Sequence, residues 1–364
     1  MDSLHGIEFY SGILLPGMVN AHTHLELSYL RGKIPEGTGL GGFVSAITAC
    51  REATPESERR RAADVQDALM RAEGIVAAGD ICNGDATFDL KKKSGIRYRN
   101  FIELFGTDPS VANTALRNGK ALADEGRNEG LECSLTPHST YSVSENLWKG
   151  IFTTRQDTAS RTEKPLPPLS VHFMESPEET GIYRGTGRLA ENNRKAGLHP
   201  DFLRYGSPTG RLTATLPAET PLLLIHNTFI TEEDIDRLND RFREITYVLC
   251  PRSNAYIEHA VPPVELLRRK GCRIALGTDS LASNTSLSVL EELKYLTARF
   301  PDIPLTEQAG WATLKGAEAL RADGWSSTFE PGKKPGAVLV EGIDWEHFRL
   351  TPESASRLIV PPGR

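Results

Sequence analysis

Two histidines separated by one residue, His22 and His24, are the strongest candidates for chemistry in this sequence. They end the apolar run at residues 14–22, which predicts a buried strand. Side chains two positions apart on a strand point to the same face, so both imidazoles can reach one metal ion. The alternative is a pair of unrelated surface histidines at a strand end. Further residues of metal-binding type elsewhere in the chain help to decide between a metal site and this alternative.

Three further residues of metal-binding type close later apolar runs: His172, His226 and Asp279. Three or four nitrogen and oxygen ligands, with a position left for water, describe a catalytic site for zinc or another divalent metal. Such a metal lowers the pKa of its bound water towards ~7. Taken singly, each histidine could be a hydrogen-bonded core residue and Asp279 a turn or helix cap. Their joint occurrence at strand ends predicts a metal site.

The elements that must position these residues form a repeating pattern. Short apolar runs without alternation predict strands buried on both faces, and helix-like segments lie between them. Eight such units over ~250 residues are typical of a (β/α)8 TIM barrel, whose active residues lie at the carboxyl ends of the strands. An open doubly wound sheet would carry a glycine-rich fingerprint after its first strand, and none is present there. The runs occupy residues 14–22, 74–82, 98–105, 131–138, 168–175, 221–227, 244–251 and 272–279.

The predicted barrel spans residues 11–325. Residues 1–10 and 326–364 are predicted to form a small, reduced β appendage, in which the N-terminal IEFYSGILL pairs with short strands at roughly 331–360. Long connections at residues 31–73 and 176–220 are expected to shape or close the pocket above the strand ends.

Composition excludes several classes of protein. Hydrophobic residues make up 39% and charged residues 25%, which is typical of a globular chain. The net charge of −6 gives no basic surface for nucleic acid or for an anionic membrane. No stretch approaches the ~20 apolar residues of a membrane span. The five cysteines are dispersed without paired spacing, so we expect a cytoplasmic protein without disulfides.

Several segments resemble the ordered landmarks of the amidohydrolase superfamily. They are most similar to its mononuclear deaminase and chlorohydrolase branch, which includes guanine, S-adenosylhomocysteine and aminofutalosine deaminases. The resemblance covers about residues 11–340. Members usually carry several dozen residues before the first motif and this chain about a dozen, so we expect a reduced or truncated β domain. The segments are PGMVNAHTHLELSYLRG, VHFMESPEE, LLIHNTFITEEDI, CPRSN and LGTDSLASN.

The resemblance implies roles for individual residues. Glu175, three residues after His172, would be the proton shuttle, and His226 would contact the metal or its water and polarise the attacked carbon. Asp279 would both bind the metal and accept a proton from the water. The fourth strand ends in LTPHST, without the lysine that bridges two metals in binuclear members, so one divalent ion is expected, zinc before iron or manganese. The implied ligands are His22, His24, His172 and Asp279.

Five residues are implied or suggested as substrate contacts. His138 lies in a motif similar to PHAPYS, and Glu179 is the second acid of ESPEE. Each has a structural alternative, a capping histidine in the first case and a solvated helix-start carboxylate in the second. Arg252 and Asn254 belong to CPRSN, which departs from the usual NPxSN. Glu26, beside the metal motif, reaches either the substrate or the metal ligands.

The leading hypothesis is hydrolytic deamination of an amino-substituted heterocycle, an adenine-type nucleoside or aminofutalosine-like compound, by metal-bound hydroxide. The same site could instead cleave a cyclic amide or the carbon–chlorine bond of a chloro-triazine. A non-catalytic metal-binding homologue is the third hypothesis. The expected partner is a small heterocyclic substrate, and a homodimer is compatible with the resemblance.

Overall fold

A computed structural model describes residues 9–162, 165–322 and 328–363. Strands and helices alternate along most of this chain, as the repeated apolar runs predict. A short strand comes first, eight barrel strands follow, and two longer strands end the chain. They are β1 Ile13–Leu15, β2 Met18–Thr23, β3 Ile75–Cys82, β4 Arg97–Leu104, β5 Glu132–Pro137, β6 Leu169–Phe173, β7 Leu222–His226, β8 Ile245–Leu249, β9 Ile274–Leu276, β10 Ala337–Asp344 and β11 Arg349–Val360.

The eight central strands form two parallel four-stranded sheets, β2-β3-β4-β5 and β6-β7-β8-β9. Isolated parallel bridges link the sheets on both sides, Ser139 with His172 and Thr23 with Asp279. At these seams the backbone N–H of His172 donates to the carbonyl of His138 over 2.9 Å, and that of Asp279 to the carbonyl of His22 over 3.1 Å. The predicted (β/α)8 barrel is confirmed, and both seams lie among the candidate metal ligands.

Helices fill the connections, including the two long ones. The connection at 31–73 holds the first two helices, and that at 176–220 holds the sixth to eighth. No helix of the described ranges is both long enough and apolar enough to cross a membrane. The helices are α1 Gly39–Ala53, α2 Glu56–Ala72, α3 Phe88–Lys93, α4 Ala112–Asn128, α5 Glu145–Thr162, α6 Pro177–Tyr183, α7 Gly187–Lys195, α8 Pro208–Thr215, α9 Glu232–Arg241, α10 Pro251–Glu258, α11 Val264–Arg269, α12 Val289–Arg299, α13 Leu305–Ala312 and α14 Leu314–Leu320.

Small and branched apolar side chains from the strands form one buried cluster in the barrel interior, and α14 contributes Ala317 and Leu320 to it. Close packing explains Gly79 on β3. A Cβ there would lie 2.6 Å from the carbonyl oxygen of Ala21 and 2.8 Å from the side chain of Leu320. The strand members of the cluster are Val19, Ala21, Ala77, Ile81, Phe101, Leu223, Ile225, Val248 and Ala275.

The chain ends meet in a separate antiparallel sheet with the order β1-β10-β11. Ile13 pairs with Val340 and Leu15 with Val338, so part of the IEFYSGILL segment does pair with the C-terminal region. This strand starts inside the range assigned to the barrel from sequence. Residues 1–8 and 323–327 lie outside the described part of the chain, and the domain boundaries at 10/11 and 325/326 stay predictions.

Candidate metal centre and catalytic site

Four histidines and one aspartate converge at the carboxyl ends of β2, β6, β7 and β9. Parallel strands of a barrel present their carboxyl ends on one face, which brings residues far apart in sequence together. None of the five is more than 8% exposed. Two of them, His226 and Asp279, have positive φ values of 77° and 58°, so the backbone turns sharply where each side chain enters the site. The five residues are His22, His24, His172, His226 and Asp279.

The distances between ligand atoms fit a single small ion. The Nε2 atom of His24 lies 3.2 Å from Nε2 of His22 and 3.3 Å from Nε2 of His172. Oδ1 of Asp279 lies 3.3 Å from Nε2 of His24 and 3.6 Å from Nε2 of His22. Tetrahedral ligands held at ~2.0–2.1 Å from one ion are about 3.3 Å apart. The donor set and its spacing therefore fit a metal cofactor.

The charge states of these groups also suit a metal. Burial is the largest cause that lowers the pKa of His22 and of His24 to about 3, so both imidazoles are neutral at pH 7. Burial alone would raise the pKa of Asp279, but the surrounding histidines hold it well below its ordinary value. Neutral imidazoles and an ionised carboxylate are the forms that bind a metal.

Hydrogen bonds fix the orientation of two of these ligands. The hydroxyl groups of Ser253 and Ser283 each donate to Oδ2 of Asp279 over 2.6 Å, which leaves Oδ1 on the histidine side. Nδ1 of His172 lies 2.9 Å from the carbonyl oxygen of His138. Because a carbonyl only accepts, Nδ1 carries the proton and the lone pair of Nε2 faces the other ligands.

The carboxyl group of Glu175 lies beside the ligand cluster. Its Oε1 is 3.7 Å from Nε2 of His226, and burial raises the pKa of Glu175 well above the ordinary value. The turn that carries Glu175 is held by Glu179, whose two carboxylate oxygens accept the backbone N–H groups of Met174 (3.0 Å) and Glu175 (2.7 Å). The carboxyl group of Glu175 is thus fixed next to the candidate metal ligands.

The substrate contacts expected from sequence differ in where they lie. His138 is half-buried, and its ring stacks on that of His172 with centroids 4.6 Å apart. Glu26 has partners outside the histidine cluster: its carboxylate accepts the backbone N–H of Asn83 over 3.1 Å and lies 3.4 Å from Nη2 of Arg51.

Arg252 and Asn254 both lie on α10 but have different surroundings. The guanidinium group of Arg252 donates to the hydroxyl of Thr285. Asn254 is fully buried, and its Nδ2 lies 3.0 Å from Nδ1 of His226. The structure thus groups His138, Glu179 and Asn254 with Glu175 and the candidate ligands. Glu26 instead contacts Asn83 and Arg51, and Arg252 contacts Thr285.

Sequence reasoning missed two residues that contact the site. Glu103 lies near the carboxyl end of β4, and its Oε1 is 3.4 Å from Nδ1 of His172. Its Oε2 accepts a hydrogen bond from the side-chain amide of Asn83 over 3.0 Å. An acidic residue near a strand end was the available signal. Ser283 donates a hydrogen bond to Asp279, but the sequence carried no comparable signal for it. The contact depends on the shape of the turn after β9.

The sequence matches a known protein family and is similar to deaminases of other organisms. The sequence model of the Amidohydrolase family matches residues 13–357. Adenosine deaminase of Helicobacter pylori is 26% identical over 317 residues, which cover 86% of this chain and 75% of the relative. Aminodeoxyfutalosine deaminase of Deinococcus radiodurans is 27% identical over 371 residues, covering 95% and 81%.

Solved structures share the fold. Helicobacter pylori aminofutalosine deaminase in complex with methylthio-coformycin superposes with a TM-score of 0.76 at 24% identity, covering 90% of this chain and 79% of that one. An adenosine deaminase from Xanthomonas campestris with bound zinc gives a TM-score of 0.70 at 22% identity, covering 92% and 74%. At these identities the likeness concerns the fold alone.

Proposed function

Because this chain belongs to the amidohydrolase family, we propose that it is a metal-dependent deaminase of an adenine-type nucleoside or an aminofutalosine-like compound. The observation that carries the proposal is the carboxyl group of Glu175, fixed 3.7 Å from Nε2 of His226 beside the histidine and aspartate cluster. The reaction consumes one water, breaks a carbon–nitrogen bond, forms a carbon–oxygen bond and releases ammonia. The adenine-type substrate is supported by the names of the curated relatives.

The proposed cofactor is a single zinc ion held by His22, His24, His172 and Asp279. When bound there, a divalent metal would act as a Lewis acid and make water a competent nucleophile at neutral pH. Zinc is supported by the donor set, three imidazoles and one carboxylate, which are ligands that zinc takes in catalytic sites. Iron or manganese would fit the same nitrogen and oxygen donors.

Within this site, Glu175 is the proposed general acid. Burial raises the pKa of Glu175 well above the ordinary value, which favours the protonated form that can give its proton to the ring nitrogen beside the attacked carbon. The carboxylate then takes a proton from the nucleophilic water and passes it to the leaving amine. Asp279 is the second acceptor for a water proton, since the surrounding histidines hold its pKa well below the ordinary value.

The remaining groups orient the substrate. His226 would present a ring nitrogen to the attacked carbon, and His138 would contact the heterocycle because its ring is partly exposed next to His172. Substrate roles for Glu26, Glu179, Arg252 and Asn254 stay predictions. The carboxylates of Glu26 and Glu179 already accept backbone N–H groups, which favours His138 among the five as the residue to test first.

The test is ammonia release by purified protein loaded with zinc, measured on adenosine, S-adenosylhomocysteine, aminofutalosine, guanine, cytosine and triazines. Glu175→Gln should lower kcat by ~10²–10⁴-fold with the metal content unchanged. Glu191→Gln, the same change on the exposed side of α7, should keep full activity.

Each other outcome overturns part of the proposal. One metal ion per chain without ammonia release from any compound would reject deamination and favour an amide or chloride leaving group. Activity that survives in Glu175→Gln would reject the assigned acid. Protein that holds no metal after loading would reject the centre itself.

The homodimer and the cytoplasmic location stay predictions. All five cysteines are free in the structure.

A further inference from the structure

A cavity lies at the opposite end of the barrel from the histidine cluster. Its volume is about 860 Å³, and its walls include the first residues of β4 and β5 and parts of α4 and α5. The histidines and Asp279 lie at the carboxyl ends of their strands, whereas Arg97 and Glu132, which line this cavity, are the amino-terminal residues of theirs. The cavity is therefore separate from the candidate catalytic site.

The described walls of this cavity are strongly cationic. Six basic side chains face two acidic ones, Glu132 and Glu244, which is an excess of four positive charges in a chain whose net charge is −6. Charge of one sign, concentrated in a concave site, raises the local concentration of ions of the other sign. The basic side chains are Arg97, Arg99, Lys120, Arg127, Arg155 and Arg321.

The two acidic residues are already engaged. Glu132 accepts hydrogen bonds from Arg97 and lies 2.6 Å from Nη2 of Arg99. Glu244 lies 3.3 Å from Nη2 of Arg321. Arg127 is also paired, because its Nη2 lies 2.6 Å from Oδ1 of Asp124. Within the described part of the chain, Arg155 and Lys120 are the basic side chains of the cavity wall that form no ion pair with a carboxylate.

The buried guanidinium group of Arg155 is the feature on which the argument for a ligand mainly depends. Its side chain is buried (3% exposed), yet within the described residues its hydrogen bonds go to backbone carbonyls, those of Leu135 and Pro167. Among the described residues no carboxylate pairs with it, and its Nε has no hydrogen-bond partner. Burial first, and then the nearby Arg99 and Arg321, lower the pKa of Arg155 to about 9. A buried cation without an anion is costly, so its persistence needs an explanation.

A second buried polar group on the same wall also lacks a partner. Ser134 is 6% exposed, and within the described ranges its hydroxyl makes no hydrogen bond. Buried hydroxyl groups are normally hydrogen-bonded. Arg155 and Ser134 come from α5 and β5, so two independent elements bring unsatisfied donors to one cavity.

We propose that this cavity binds a small phosphorylated molecule, with its phosphate group against Arg155, Arg99 and Ser134. Guanidinium groups match the oxygens of phosphate in a bidentate manner, and a hydroxyl adds a further donor. A multiply charged phosphate compensates the excess of positive charge better than a single carboxylate would. The volume leaves room for an organic group beside the phosphate, since small-molecule pockets are typically ~300–1,000 Å³.

The test is calorimetric titration of the intact metal-loaded protein with inorganic phosphate at low ionic strength. Saturable binding is expected, and Ser134→Ala should weaken it by about tenfold, the loss of one hydrogen bond to a charged group. Ser134→Ala should not lower the melting temperature without phosphate, because the hydroxyl has no partner to lose. Arg155→Met should abolish the binding.

Two exposed residues of α4 keep the test independent of folding. Lys120→Gln removes a charge from the cavity wall and should weaken phosphate binding severalfold, whereas Arg117→Gln, on the same helix but outside the wall, should leave it unchanged. Failure of phosphate to bind would overturn the proposal. So would binding that is equal in Ser134→Ala, Lys120→Gln and the parent protein, which would place phosphate at the metal instead, or equal weakening in Arg117→Gln, which would indicate bulk charge alone.

Discussion

Nδ2 of Asn254 lies 3.0 Å from Nδ1 of His226, and this contact sets which nitrogen of the imidazole carries a proton. An amide nitrogen only donates, so Nδ1 accepts and the proton of the neutral ring is on Nε2. Burial lowers the pKa of His226 to about 3, which keeps the ring neutral. Nε2 is the atom that faces Glu175, 3.7 Å from its Oε1. Asn254 thus orients the proton of His226 towards the proposed reacting centre.

Reversing this hydrogen bond should impair catalysis. In Asn254→Asp the carboxylate would accept from Nδ1, which moves the proton away from Nε2, and we expect kcat to fall about 10²-fold. Asn254→Ser retains a donor and should lose less activity. Steady-state kinetics and metal analysis of both variants make the comparison. Equal kcat in Asn254→Asp and the parent protein would refute the assigned tautomer.

The two serine hydroxyls at Asp279 should support metal affinity. Both donate to Oδ2 over 2.6 Å and keep Oδ1 turned towards His24. Removing such outer contacts typically costs 10–100-fold in affinity. We expect the double variant Ser253→Ala/Ser283→Ala to bind zinc about 10–100-fold more weakly, as measured by competition with a chelator. Ser286→Ala, on the same loop, is the control and should retain the affinity of the parent protein.

Glu179 should act by holding the turn that carries Glu175. Its oxygens accept the N–H groups of Met174 and Glu175, and Met174 has a positive φ of 49° that this turn must maintain. Glu179→Gln replaces one acceptor by a donor and should lower the free energy of unfolding by about 1–3 kcal/mol. It should also reduce kcat with little change in KM. A substrate-binding role predicts the opposite split, a raised KM with kcat retained.

The buried ion pair between Lys91 and Asp80 should contribute strongly to stability. Both side chains are fully buried, Lys91 also donates to Oδ1 of Asn100 over 2.7 Å, and Asp80 accepts the backbone N–H of Leu25 directly after the HxH motif. Lys91→Met leaves a buried carboxylate unpaired and should cost about 3–5 kcal/mol in the free energy of unfolding. Chemical denaturation checks this value. Lys91→Met/Asp80→Asn should be more stable than Lys91→Met, because no unpaired charge remains.

Metal removal should destabilise the barrel at its two seams. The candidate ligands His22, His172 and Asp279 take part in the backbone contacts that link the two sheets, so a bound metal would also hold those seams together. Dialysis against a chelator should lower the melting temperature, and added zinc should restore it, since a ligand of the folded state stabilises it. An unchanged melting temperature in protein proven free of metal would contradict this coupling.

Most of the fold could be predicted from the sequence. Apolar runs of seven to nine residues, each followed by a helix-like stretch, are local patterns, and eight such units are typical of a (β/α)8 barrel. The positions of His22, His24, His172, His226 and Asp279 at strand ends then place five potential ligands on one face. The sequence by itself therefore determined the fold class, the family and the clustering of these residues.

The tertiary structure alone decided how each side chain is used. Asn254, expected from sequence at the substrate, contacts His226, and Glu26, two residues from a candidate ligand, turns to Asn83 and Arg51. Hydrogen-bond partners such as Ser283 for Asp279 depend on turns with positive φ, which local patterns do not encode. The cationic cavity is likewise invisible in a chain of net charge −6, because its arginines come from separate strands and helices and meet only through packing.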